Sequence, residues 1–269
     1  MKSFLSKIVL FTLASCGFFF SFVGKKTTNQ AIQSSNNPST SSDNSSKGVA
    51  VLELFTSEGC SSCPPADDIL RGVSKQENVF ALSFHVTYWN RLGWKDSFSQ
   101  KIFDERQYNY GSRFQKEGVY TPQLVVNGTD EFVGSRKTQT DNAIKKALST
   151  PVRIQIELSK SLNDNDIIIK YKLSGDYNNA NMHFAVVESN FTTKVIRGEN
   201  EGRILKHDNV VRDFETLALK NTPEKSGQID GVHEIYPLKN WLIKNCSLIV
   251  FVQDKKTGQV IGASKIGLN

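Results

Sequence analysis

The chain has 269 residues, 38% of them hydrophobic, which is more than one small core requires and points to two packed regions. Its formal net charge of +6 comes from 33 Lys and Arg spread among 27 Asp and Glu. No dense basic block stands out, so a nucleic-acid partner is not expected.

At the N-terminus, Lys2 and Lys7 precede the apolar run 8–13, the charged start and apolar middle of a secretory signal. Residues 1–24 are therefore expected to direct export, to the periplasm or to the membrane-anchored envelope of a bacterium. Leu13-Ala14-Ser15-Cys16 resembles a lipobox, which makes Cys16 the expected lipidation site and membrane anchor. The apolar stretch from Gly17 to Val23 keeps cleavage near Gly24, or an uncleaved anchor, as alternatives. Ile8 to Val23 falls short of the roughly 20 apolar residues of a membrane helix. Residues 25–48 are rich in Ser, Asn and Thr and read as a flexible tether.

Residues 49–150 read as an α/β domain. Val49 to Phe55 is a buried strand, Pro64 to Val73 a helix with Ile69, Leu70 and Val73 on one face, and Val79 to Val86 a second strand. That order predicts parallel pairing. A second helix is expected over Phe98 to Phe114. Gln123 to Val126 and Glu131 to Val133 flank Asn127-Gly128, a hairpin signal, and Asp141 to Leu148 closes the domain as a helix. Residues 151–269 change texture. Alternating runs at Val152 to Leu158 and Ile167 to Leu173, with further strands at Met182 to Glu188, Leu248 to Gln253 and Val260 to Lys265, predict a β-sandwich.

The chemistry concentrates at Cys60-Ser61-Ser62-Cys63, a C-x-x-C pair after a strand and at a helix start. Unpaired N–H groups at a helix N-terminus carry partial positive charge and favour a thiolate on Cys60. Cys63, one turn inward, is the expected resolving thiol. Pro64 and Pro65 suit a first turn, where N–H groups have no intrahelical partner to lose. The competing readings are a structural disulfide, natural in an exported protein, and half of a zinc site, for which no second cysteine pair exists.

Taken with Tyr120-Thr121-Pro122-Gln123, the order strand, C-x-x-C, helix, strand, helix, Thr-Pro, hairpin, helix is similar to the thioredoxin superfamily. Glu53-Leu54-Phe55-Thr56-Ser57-Glu58-Gly59-Cys60 through Asp67, Ser83 to Trp89 and Leu92 to Asp96 narrow the resemblance to the secreted thioredoxin-like family called domain of unknown function 1223. The resemblance implies a thioredoxin-like fold for residues 49–150, a redox dithiol at Cys60 and Cys63, and a cis Pro122. It also implies that Thr121 positions an extended substrate segment through its backbone. It supplies no substrate.

Around this pair, Glu53 is a candidate buried proton acceptor or an ordinary strand carboxylate. His85, Trp89, Trp94 and Asp96 crowd the end of the second strand, where α/β sites form. His85 is expected to be a hydrogen-bonded core residue, and the Trp pair core rather than groove. The segments Arg197 to Arg203 and His207 to Arg212 read as solvated charged loops, with folding back over the dithiol as the alternative. Cys246 reads as a buried, inert thiol. The leading expectation is an envelope thiol–disulfide oxidoreductase of unassigned direction, with protein dithiols or disulfides as partners and no cofactor. A soft-metal (copper) binding module and an envelope binding protein with a fixed bridge are the alternatives.

Overall fold

The structure is a computed structural model that describes residues 47–163, 166–219 and 227–269. The signal segment 1–24 with Cys16, and all but the last two residues of the tether, lie outside the described residues. Among the described residues no helix is long and apolar enough to cross a membrane.

The first half of the chain runs β1 (Ala50–Thr56), α1 (Pro64–Val73), β2 (Val79–His85), a 3-10 turn (Tyr88–Leu92), α2 (Lys101–Arg113), β3 (Gln123–Val126), β4 (Asp130–Val133) and α3 (Lys137–Leu148). β1 pairs in parallel with β2 and antiparallel with β3, and β3 pairs antiparallel with β4. The β3–β4 hairpin turns on Asn127 and Gly128, with φ of 47° and 70°. Those left-handed angles are why Asn-Gly is favoured in such turns.

Apart from one short 3-10 turn (Ile243–Asn245), the regular elements described in the second half are strands: β5 (Ile154–Asn163), β6 (Asp166–Gly175), β7 (Ala180–Glu188), β8 (Phe191–Lys194), β9 (Ile204–His207), β10 (Val210–Ala218), β11 (Gln228–Ile235), β12 (Cys246–Asp254) and β13 (Val260–Gly267). Strands from both halves share one eight-stranded sheet in the order β13-β12-β7-β10-β2-β1-β3-β4. The expected boundary after residue 150 thus has four strands of this sheet on each side. The halves join where β10 pairs in parallel with β2, a register of one residue pair, Val210 with Ser83. Around that pair, Ser83 N donates to Asn209 O at 2.8 Å.

Alternation along the strands gives the sheet two apolar faces. On one face Val51, Phe55, Phe84, Val211 and Phe251 meet Phe103 and Tyr110 of α2 in a core that spans both halves. The other face is covered in two parts. Leu52 and Leu54 meet Ala66, Leu70 and Val73 of α1 and Ala143, Ile144 and Ala147 of α3. Farther along, Met182, Phe184, Leu248 and Val250 pack against Ile167, Ile169 and Leu173 of the three-stranded sheet β11-β6-β5. Each fully buried Leu, Ile or Phe contributes about 1.5–3 kcal/mol relative to exposure.

Of the two segments expected as loops, Arg197 to Arg203 is one, while His207 to Arg212 holds the end of one strand and the start of another. His207 ends β9, and Val210 to Arg212 begin β10, which pairs along its length with β7. Tertiary pairing, not local pattern, makes them strands.

Candidate functional site

Cys60 and Cys63 form a disulfide with their Cα atoms 5.4 Å apart. It lies where β1 hands over to α1. Cys63 is the N-cap residue of α1, its carbonyl accepting from Ala66 N at 2.8 Å and Asp67 N at 3.1 Å, with Pro64 and Pro65 opening the helix. Both cysteines are 0% exposed although Ser61 and Ser62 between them are exposed. Ser62 Oγ stands 3.4 Å from Cys60 Sγ.

The Thr121–Pro122 peptide bond is cis. Trp89, half-buried in the 3-10 turn, links this segment to the dithiol turn: its Nε1 donates to Thr121 Oγ1 at 2.7 Å. A side chain added at Gly59 would lie 3.2 Å from Trp89 Cβ, so glycine lets the turn and the indole approach.

His85 and Asp96 are brought together at the C-terminal end of β2, His85 Nδ1 standing 2.7 Å from Asp96 Oδ2 with both side chains fully buried. Burial opposes the charged ring, but the Asp96 carboxylate outweighs it and lifts the His85 pKa above its usual value. Burial likewise opposes the Asp96 carboxylate; His85 and the amides of Glu58 and Phe98 outweigh it and hold the pKa low. Trp94 Nε1 donates to Glu58 Oε2 at 2.8 Å.

Glu53 does not sit beneath the dithiol. It takes the face of β1 opposite α1, where Arg106 grips it with two nitrogens and Tyr110 Oη donates to it at 2.5 Å. Side chains alternate across a strand, so moving one position along β1 changes the face. The carboxyl on the dithiol side is Asp67, one helical turn beyond Cys63 and missed in the sequence reading. Burial raises its pKa to about 6, with His85 and His207 pulling the other way. Thr56 Oγ1 stands 3.3 Å from Asp67 Oδ2, while Asp67 Oδ1 and His85 Nε2 are buried without a hydrogen-bond partner. His207 Nε2 comes within 3.2 Å of Glu58 Oε1, and the His85 and His207 rings are 5.2 Å apart. Ionisable side chains from both halves of the chain, with Glu58 from the turn and Asp67 from the first turns of α1, thus form one buried cluster. Its signal in the sequence was the Asp four residues after Cys63, the spacing that puts both on one helix face.

The segment Arg197 to Arg203 does not stand free in solvent. Asn200 is 0% exposed and its Nδ2 donates to Glu58 O at 2.9 Å and to Cys60 O at 2.8 Å. Glu199 accepts from Ser61 N at 3.0 Å and Ser61 Oγ at 2.7 Å, and those bonds lower its pKa. Cys246 is buried, which pushes its thiol up to about 12. Among the described residues no three His, Cys, Asp or Glu are arranged to hold a metal ion.

The arrangement offers an oxidised two-cysteine turn at a helix start, a carboxyl that keeps its proton to about pH 6, and a loop from the second half bonded onto the turn. Two solved structures resemble it over most of the chain. Protein AGR_C_4864 from Agrobacterium tumefaciens is 28% identical, with a TM-score of 0.60 over 83% of this chain and 96% of that one. HBP35 of Porphyromonas gingivalis, 17% identical with a TM-score of 0.59, covers 83% of this chain and 76% of its own and shares the fold alone. No curated protein matches the chain. The family model described as protein of unknown function (DUF1223) matches residues 51–253, across both halves, and the chain belongs to that family.

Proposed function

We propose that the protein is an exported thiol–disulfide oxidoreductase of the bacterial cell envelope, with residues 49–150 as a thioredoxin-like unit and residues 151–269 as a β-sandwich layer built onto its sheet. The observation that carries this reading is the Cys60–Cys63 disulfide at the first turn of α1. The chain order β1-α1-β2-α2-β3-β4-α3, with the cysteine pair between β1 and α1 and the cis Thr121–Pro122 bond before β3, supports this reading. Export rests on the signal-like segment 1–24 and anchoring on Cys16.

In the reaction a partner thiolate attacks Cys60 Sγ, a Cys60–partner disulfide forms and Cys63 leaves as a thiolate that takes up a proton. A second partner thiolate then attacks the partner sulfur of that mixed disulfide, leaving the partner oxidised and the protein carrying two thiols. Run backwards, the same steps reduce a partner disulfide, with Cys60 attacking and Cys63 resolving. Partial positive charge at the start of α1 favours a thiolate at Cys60. Thr121, tied to Trp89, presents its backbone to the partner segment.

The test compares Cys63→Ser and Cys60→Ser in the native envelope. Cys63→Ser is expected to accumulate partners joined through Cys60 on non-reducing gels, and Cys60→Ser few. A second reading, a fixed structural bridge, is favoured by the complete burial of both cysteines. Absence of trapping by either variant, with a wild-type bridge that survives mild reductant, would establish that reading instead.

A further inference from the structure

Among the described residues, β8 and β9 pair only with each other and belong to neither larger sheet. The loop 195–203 that joins them is held in shape from within. Val195 N donates to Arg203 O, Gly202 N to Val195 O and Arg203 N to Asn200 O, at 2.9–3.0 Å. Gly198 and Gly202 have φ of 84° and 80°, in the left-handed region that favours glycine, which lets the loop reverse twice in a short span.

This shape aims one side chain inward. Asn200 uses both amide hydrogens on the carbonyls of Glu58 and Cys60, and its Oδ1 accepts from Arg203 at 2.8 Å. Beside it Glu199 takes the amide and hydroxyl of Ser61. The loop therefore engages backbone groups of three residues in the turn that carries the disulfide, and within 195–203 only Val195 and Asn200 are buried. Hydrogen bonds hold it there with little apolar surface, the mark of a segment that opens well below the global unfolding free energy. The arm behind it is fastened more firmly. Leu205 and His207 are buried, Phe191 packs on Phe98 with ring centroids 4.7 Å apart, and Arg71 lies 3.8 Å from Asp208.

We infer that loop 195–203 is a latched cover over the disulfide: Asn200 and Glu199 hold it shut, and a partner or reductant reaches Cys60 when the loop lifts while β8 and β9 stay docked. The latch is made of groups that a partner chain can replace, because carbonyls at Glu58 and Cys60 and an amide at Ser61 become free for an extended segment when the loop leaves. A polypeptide whose backbone or Asn and Gln side chains supply those bonds is the class of partner that fits. Its use in catalysis rests on the oxidoreductase reading; the cover itself does not.

The test is the rate at which dithiothreitol reduces the Cys60–Cys63 bridge in the exported chain, read by alkylation and mass shift, for wild type, Asn200→Ala and Glu199→Ala. Loss of the two Asn200 bonds is expected to speed reduction about tenfold or more, and loss of the Glu199 carboxylate several-fold. Asn200→Ala that folds as wild type yet reduces at the wild-type rate overturns the cover. Should Asn200→Ala fail to fold, Glu199→Ala decides, since Glu199 lies at the surface: faster reduction supports the cover and an unchanged rate overturns it. Faster reduction combined with no partner trapped by Cys63→Ser leaves the cover standing and removes the oxidoreductase.

Discussion

His85 and Asp96 meet at 2.7 Å with neither side chain exposed, and the same Asp96 carboxylate also accepts from Glu58 N and Phe98 N, both at 2.9 Å. One carboxylate thus ties the end of β2 to the turn that leads into Cys60. Removing it from a buried pair leaves the imidazole and two amides without their acceptor.

Asp96→Ala is therefore expected to destabilise the fold by about 3–5 kcal/mol near pH 5.5. The sign of the pH dependence follows from both partners. His85, raised in the fold, contributes fully below its unfolded pKa and loses that contribution as pH rises through the folded value. Asp96, lowered in the fold, contributes above its unfolded pKa and loses that as pH falls through the folded value. The gap between variant and wild type should be widest between about pH 4 and 6.5 and narrow on either side. Denaturant midpoints from pH 3 to 9 measure it, and a gap that grows steadily to pH 9 contradicts the assignment.

Asp67 runs the other way. Its folded pKa of about 6 lies above the ordinary 3.8, so the native state holds the proton longer and loses stability as pH rises from about 4 to about 6. Asp67→Asn should then stabilise the protein above pH 6, by on the order of 2 kcal/mol, with little effect at pH 4. His85, His207 and Asp96 act on the same carboxyl, so their charge states set the steepness. Equal or greater destabilisation of the variant at pH 8 than at pH 4 would show that the carboxylate is wanted ionised.

The Glu53–Arg106 pair can be separated from the dithiol. Arg106 lies over Phe214 and Phe251, at 4.7 Å and 5.6 Å from the ring centroids, as well as gripping Glu53. Arg106→Met strands a buried carboxylate and should cost about 3–5 kcal/mol, while Glu53→Gln with Arg106→Met should cost less than the sum of the single changes. Glu53→Gln should leave the reduction potential of the Cys60–Cys63 pair where it is. A shifted potential would return Glu53 to the redox site.

Gly128→Ala tests the hairpin that carries the Thr121–Pro122 segment. The left-handed φ of 70° resists a side chain, and a Cβ there would strike the carbonyl oxygen of Gly258. A loss of about 2 kcal/mol or more in chemical denaturation is expected. Wild-type stability would mean that the turn relaxes to another type.

How much of this could be read from residues alone depends on where the controlling contacts lie. The bounds of α1 were readable, because Pro64 and Pro65 fix its start; of the expected apolar face Leu70 and Val73 enter the core, whereas Ile69 is only half-buried and Ala66 takes its place. β1, β2 and β3 were readable as apolar runs. Glu53 was placed on the correct strand, but a one-residue register decides between Arg106 and the dithiol, and the register is set by packing. β8 and β9 hold four residues each with little alternation, so their pairing and the inward aim of Asn200 come from contacts more than a hundred residues away.

The seam between β10 and β2 has a further bearing on how this chain can be handled and inherited. With Val210 and Ser83 as the paired register, and with Phe84, Phe103, Phe214 and Phe251 in one core, cutting after residue 150 would leave β2 as a raw edge. The aromatic face beside that edge would be bared to water, the kind of surface that recruits other chains. Fragments of the first half should therefore be poor stand-ins for the protein. Duplication or transfer of the cysteine turn would succeed only as part of the whole pleated layer, which accords with a family match that crosses the seam at residues 51–253.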